Sequence, residues 1–232
     1  MRLFLVLVLG IAGFSNGAMA QQVSMGPVPD DVVGQFNAVG RVNQAGFKTK
    51  GSCSGTLIRP DVVLTAGHCT NRDRVSDSQK VFVAGWRRGE YLAARKVREN
   101  LRHPAYGLSG RHDPRFDVGL LVLDSPITEV DPLPLASDQS DSVGLVGYHK
   151  YIPHLLSGRL DCPVAFRRAQ TIRIDCPVVS GNSGGPILER DSDGNWHVTA
   201  VVSSQVQQQA IATRIPQWIH DALAMLDRAT DS

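Results

Sequence analysis

A serine set among glycines is the first chemistry this chain offers. In Gly181-Asn182-Ser183-Gly184-Gly185-Pro186 the glycines permit tight turns and a close approach that a Cβ would block. A serine hydroxyl is a weak nucleophile at neutral pH. It becomes useful when a base takes its proton and nearby donors stabilise the oxyanion it creates. A candidate base is His68, in Leu64-Thr65-Ala66-Gly67-His68-Cys69, where small residues leave room for a substrate and a bridged Cys69 would pin the backbone. A candidate acid is Asp117, which leads directly into the apolar run Val118–Leu123. It would accept the Nδ1 proton of His68, fix the tautomer and stabilise the imidazolium. Each has a plainer reading alone: a Gly/Ser turn, one of seven histidines, an aspartate at a strand edge.

These residues are far apart in the chain, so a scaffold must bring them together. The 232 residues allow one large unit or two small ones, with a core large enough to stand without a metal. Charge is nearly balanced, 24 basic against 22 acidic residues, which argues against a nucleic-acid or acidic-membrane partner. Arg2, the apolar run Leu3–Leu9 and Ala18-Met19-Ala20 predict a signal peptide over 1–20, cleaved after about Ala20. The apolar run is too short for a membrane span. The mature protein is therefore expected to be secreted or periplasmic. Cys53, Cys69, Cys162 and Cys176 then fall in an oxidising compartment and lack C-x-x-C zinc spacing. Two disulfides have three possible pairings. The local one, Cys53–Cys69 with Cys162–Cys176, closes loops of about 15 residues, each worth roughly 3 kcal/mol.

Residues 21–35 form a Pro- and Gly-bearing segment expected to be a surface arm. Short runs rich in Val, Ile and Thr, bounded by turn residues, predict strands at Ala38–Val42, Gly55–Ile58, Val62–Thr65, Val81–Ala84 and Val118–Leu123. A second set is predicted at Val143–Val146, Thr171–Ile174, Pro186–Leu188 and Trp196–Ser203. Prolines at 126, 132 and 134 separate the two sets. Only the end reads as a helix, with Pro216 at its start and Trp218, Ile219, Ala222, Leu223 and Leu226 at helical spacing. The fold class is all-β, divided at about residue 130.

Four blocks together carry a resemblance. Cys53-Ser54-Gly55-Thr56-Leu57-Ile58, the His68 block, Asp117-Val118-Gly119-Leu120-Leu121 and the Ser183 block resemble the signature segments of chymotrypsin-like (trypsin-fold) serine proteases, in the family's order His, Asp, Ser. His103-Pro104 with Tyr106, Val201-Val202-Ser203 and the closing Trp218-Ile219 helix are smaller similarities. The resemblance implies two packed antiparallel six-stranded barrels, 36–130 and 131–232, with a C-terminal helix. It also implies a secreted serine endopeptidase acting on protein or peptide substrates as a monomer, with no cofactor and no metal. His68, Asp117 and Ser183 would be catalytic, the backbone N–H groups of Gly181 and Ser183 would form an oxyanion hole, and Ser203 would support Asp117.

Departures from the family pattern matter as much. Residue 182 is Asn, where animal digestive enzymes carry an Asp that receives a newly freed amino terminus. No such activation is therefore expected, and Val32-Val33-Gly34 is read as a chance similarity to an activated terminus. The motif style is closer to bacterial secreted, glutamyl-endopeptidase-like members. Where trypsin-like enzymes hold an acid for Arg or Lys, this chain has Pro177, and the position of the glutamate-binding histidine falls on Val202. Pro177, Val178, Val202 and Gln205 thus predict an uncharged substrate pocket. Two other readings remain: a catalytically silent homologue acting as a binding protein, and an α/β-hydrolase, since Gly181–Gly185 also fits G-x-S-x-G.

Overall fold

The computed structural model describes residues 24–44, 52–70 and 79–230; the expected leader lies outside them. Six antiparallel strands close a first barrel: β1 (Val39–Asn43), β2 (Cys53–Arg59), β3 (Val62–Thr65), β4 (Val81–Ala84), β5 (Ala93–Arg102) and β6 (Gly119–Leu123), in the order β1-β2-β3-β6-β5-β4. A second barrel closes from β7 (Ser142–Gly147), β8 (Ser157–Arg167), β9 (Thr171–Ile174), β10 (Pro186–Arg190), β11 (Trp196–Val206) and β12 (Gln209–Arg214), in the order β10-β11-β12-β9-β8-β7. One helix, α1 (Gln217–Thr230), follows. Closure leaves no open sheet edge. The α/β-hydrolase reading needs alternating strands and helices around a parallel sheet, and these antiparallel barrels exclude it.

The predicted strands are present, and three more appear. β5, β8 and β12 escape a reading by apolar runs because their outer faces carry charge or their inner faces carry small residues. In β5, Ala93, Val97 and Asn100 are buried between Arg, Lys and Glu, with a register shift between Val97 and Glu99 that breaks the period of two. β8 has Pro163 within it and another shift between Val164 and Phe166. β12 turns in only Ala210, Ala212 and Thr213.

The amino-terminal segment differs from the expected surface arm. Met25 and Val28 are apolar and pack into the core, so the segment docks rather than floats. Val28 N–H donates to Leu156 O (2.9 Å), and Gly158 N–H donates to Gly26 O (3.0 Å), extending the second barrel by a short bridge. Phe36 then packs on Trp196, whose Nε1–H donates to Gln35 Oε1 (3.0 Å). α1 returns to the first barrel. Its Ile219, Ala222 and Leu223 join the core there, and Arg59 of β2 reaches the Leu223 carbonyl. Burying side chains of this size contributes about 1.5–3 kcal/mol each, enough to hold a short helix that propensity alone would not.

Candidate active site

His68 sits in one 3₁₀ turn, Gly67–Thr70, immediately after β3. Thr70 Oγ1 donates to Gly67 O (2.8 Å), and Cys69 N–H donates to Ala66 O (3.0 Å), closing the turn. The Cys53–Cys69 disulfide fastens the same turn to β2, and Cys162–Cys176 ties β8 to the segment after β9.

Asp117 lies just before β6 and is wholly buried. A buried carboxylate is costly unless its lone pairs are used. Here they are. Oδ1 accepts the backbone N–H of His68 (2.8 Å), and Oδ2 accepts both His68 Nδ1–H (2.8 Å) and the Ser203 hydroxyl (2.6 Å). With Nδ1 protonated by this network, Nε2 is the bare nitrogen of His68. Two fixed contacts to one carboxylate set both the backbone and the ring of His68.

Ser203 points at Asp117 because β11 is irregular there. Val202 pairs with Ala212 and Ser204 with Ile211, leaving Ser203 as the extra residue of a bulge. Its proton goes to Asp117, so its oxygen accepts from His112 Nε2 (3.1 Å). His112 Nδ1 in turn accepts from the Tyr106 hydroxyl (3.3 Å). Burial, and then the charge of Asp117, push the Tyr106 hydroxyl up to about 12, which keeps it a donor. The result is a one-way chain of donors, Tyr106 to His112 to Ser203 to Asp117. The His112 ring meets that of His68 edge-on, with centroids 5.6 Å apart. His112 was not legible in the sequence, since only folding places it beside Ser203.

The Ser183 loop is held by backbone and amide contacts. Ser54 of β2 donates its N–H to Ser183 O (2.7 Å) and its hydroxyl to Gly181 O (2.9 Å), while accepting Tyr148 N–H (2.8 Å). Gly184 N–H donates to Val202 O (2.8 Å), and Val202 N–H donates to Gly185 O (2.9 Å), clamping the loop to β11. Asn182 is buried: its Oδ1 accepts Val179 N–H (2.9 Å) and its Nδ2 donates to Tyr148 O (3.3 Å). The Cys69 sulfur lies 3.9 Å from Ser183 O, so the serine backbone touches the residue next to His68. Among the described residues, the Ser183 hydroxyl and the N–H groups of Gly181 and Ser183 have no hydrogen-bond partner, which leaves them available to a substrate.

Among the described residues, the two clusters with metal-type donors are already committed elsewhere. In His68, His112 and Asp117 the carboxylate oxygen holds a histidine and a serine, and in Cys53, His68 and Cys69 both sulfurs are in a disulfide. Neither set is arranged to hold an ion. Residues 53–200, which include His68, His112, Asp117 and Ser183 but not Ser203, match the family model of the trypsin-like peptidase domain. The chain belongs to that family.

For a trypsin-like peptidase the substrate pocket is the part least defined by these contacts. Val178 and Val202 pack with Cys162, Ile174 and Cys176 in the second barrel's core, Pro177 is half-buried, and Gln205 faces solvent at the end of β11. No acid or base stands among the four.

Two glycines of this peptidase are forced by geometry. Gly184 has φ +81°, and a Cβ there would lie 2.2 Å from both Ser54 O and Thr65 Oγ1. Gly181 has φ +105°, with the His149 backbone 2.7 Å from where its Cβ would be. Gly184→Ala is therefore expected to cost at least about 3 kcal/mol, from overpacking together with a strained φ. Urea unfolding of the variant would show the loss; a midpoint within error of wild type would contradict the clash.

His149, beneath that loop, is buried with Nε2 donating to Met25 O (3.2 Å) and Nδ1 accepting Tyr151 N–H (3.2 Å). Burial lowers its pKa below the ordinary 6.5 despite the opposing Met25 contact, and burial lowers that of His103 as well. The folded state therefore binds protons less readily than the unfolded one. Stability should be full above about 6.5 and decline as pH falls below it, by at most about 1.4 kcal/mol per pH unit for each histidine. Thermal unfolding from pH 8 to pH 5 measures the slope, and His149→Gln, which keeps one donor and one acceptor, should flatten it.

Proposed function

We propose that this trypsin-like peptidase is a secreted serine endopeptidase that works through an acyl-enzyme. The observation that supports it most directly is the buried Asp117, which takes the Nδ1 proton of His68 and leaves Nε2 bare. Ser183 is the nucleophile. As its oxygen attacks the scissile carbonyl, His68 Nε2 takes the hydroxyl proton, and Asp117 stabilises the imidazolium that forms. The oxyanion is received by the N–H groups of Gly181 and Ser183, preset by the Ser54, Asn182 and Val202 contacts. Collapse expels the amine, which carries away the His68 proton. Water, activated by the same nitrogen, then releases the acid.

Asn182 supports an enzyme competent without amino-terminal activation. Its amide bridges Val179 and Tyr148, so the loop is braced by neutral hydrogen bonds rather than by a charge seeking a new terminus. Processing before Val32 should accordingly be unnecessary. None of Pro177, Val178, Val202 and Gln205 is charged, which favours a small or apolar residue before the scissile bond, although the Val178 and Val202 side chains are themselves buried in the second barrel's core. The two disulfides fit an oxidising compartment, and no helix among the described residues is long and apolar enough to cross a membrane.

A serine-directed phosphonate tests the reading. It should modify wild type at Ser183, spare Ser183→Ala, and abolish cleavage of an unfolded casein-like protein. Absence of both labelling and cleavage would sink the peptidase reading and leave the silent, binding homologue to be tested.

A further inference from the structure

The outer face of the second barrel carries a basic and aromatic groove that the triad does not use. Its floor is a single cross-strand row. Ser204 of β11 pairs with Ile211 of β12, Ile211 with Arg173 of β9, and Arg173 with Phe166 of β8. Ile211 and Arg173 point outward, because their neighbours Ala210, Ala212, Ile172 and Ile174 are buried within the barrel, and Phe166 beside them is exposed. Its wall is Pro114, held against β12 by the Thr213 hydroxyl, which donates to Pro114 O (2.7 Å). Of these, Pro114, Phe166, Arg173 and Ile211 line, together with Val206 and Arg168, a cavity of about 250 Å³.

Charge gives the groove its chemistry. Phe166 is exposed and lies beneath two guanidinium groups, Arg168 at 5.4 Å and Arg173 at 5.5 Å from the ring centroid. Among the described residues neither arginine has a carboxylate partner, and Arg173 Nε is buried with no acceptor. Most other arginines around the second barrel are spoken for: Arg167 and Arg214 grip Asp138, and Arg159 pairs with Asp161. Two unpaired cations over an aromatic face, with apolar walls, suit carboxylates whose methylenes can rest on Phe166, Ile211 and Val206.

The groove is continuous with the catalytic elements. β11 carries Ser203 immediately before Ser204, and the Pro114 wall leads within three residues to Asp117. Arg173 is two strand spacings from Ser204, roughly 10 Å. An extended peptide covers that in about three residues.

We infer that this groove selects polypeptide substrates carrying acidic residues about three to five positions from the scissile bond. The inference rests on the peptidase function proposed above. The acid enters between Arg168 and Arg173 while the peptide backbone runs along the end of β11. The primary pocket stays uncharged, so the charge preference belongs to a remote contact and not to the residue next to the cut.

Matched peptides sharing one cleavable core test it, with Glu-Glu, Gln-Gln or Lys-Lys placed three to four residues away on either side. At one of the two placements kcat/KM should follow the order Glu-Glu, Gln-Gln, Lys-Lys, with about a tenfold advantage of the first over the second, the scale of two half-exposed ion pairs. The advantage should shrink in added salt and vanish in Arg168→Gln/Arg173→Gln. Arg168→Glu, at an exposed site, should reduce it and improve Lys-Lys. Equal rates at both placements, or a preference that survives the double Gln variant, would overturn the inference while leaving the peptidase intact. Binding of the same peptides to Ser183→Ala gives a readout free of turnover. If wild type cleaves nothing, the peptidase reading fails, and the order of binding still decides the groove.

Discussion

Ser183→Ala should lower kcat/KM by about 10⁶-fold while leaving the fold almost untouched. The loss is that large because nucleophile and base act as a unit: without the hydroxyl, the bare Nε2 of His68 has nothing to deprotonate. The fold should survive because the contacts that shape the loop are made by backbone atoms, by Ser54 and by Asn182, and not by the Ser183 hydroxyl. Residual catalysis of about 10³–10⁴ over water is expected, since the N–H groups of Gly181 and residue 183 persist in the variant. Progress curves on a cleavable peptide and thermal unfolding measure the two halves. Retained cleavage would remove Ser183 from the mechanism, and a large drop in Tm would mean that the hydroxyl is structural.

Asp117→Asn should reduce kcat by about 10⁴-fold, with KM changing far less. The asparagine is nearly the same size in a wholly buried site, so the defect is one of proton placement. A carboxylate accepts from both His68 and Ser203. An amide offers an oxygen at only one of the two positions. If its NH₂ takes the place of Oδ2, His68 Nδ1 becomes an acceptor, the proton moves to Nε2 and the base is blocked, while the Ser203 hydroxyl must reverse and the donor chain from Tyr106 through His112 is broken. If its NH₂ takes the place of Oδ1, it meets the backbone N–H of His68, donor against donor, and the contact that fixes the His68 backbone is lost. Either outcome loses the negative charge opposite the imidazolium. The pH profile of kcat/KM should therefore change shape as well as height. A uniform tenfold drop with unchanged pH dependence would indicate general loosening of the site instead.

Which parts were legible in the sequence follows from physical range. His68, Ser183 and the two local cysteine pairs each sit in a short block whose glycines or cysteines constrain their immediate neighbours, and such constraint is visible in one dimension. Strands with an apolar run were visible for the same reason. β5, β8 and β12 were not, because a barrel wall needs only alternate inward residues; register shifts at Val97 and Val164 spoil even that alternation in β5 and β8, and β12 turns in only Ala210, Ala212 and Thr213. The bulge at Ser203 shows what this hides: the irregularity that obscures the pattern is what aims the hydroxyl at Asp117. His112, with Tyr106 behind it, meets Ser203 only across the fold, and the role of Ser54 depends on a loop far along the chain. The buried amino-terminal Met25 and Val28 were missed because isolated apolar residues among prolines and glycines carry no period.

Ser54 also bears on when the proposed enzyme first becomes dangerous to its producer. This one residue of β2 holds the carbonyls of Gly181 and Ser183, which the ribosome delivers more than a hundred residues later. A nascent chain that ends before residue 181 lacks the Ser183 loop, so activity of the proposed enzyme would wait on the docking of one barrel on the other. An endopeptidase with no amino-terminal switch would have, in that order of events, a safeguard against cutting the cell that makes it.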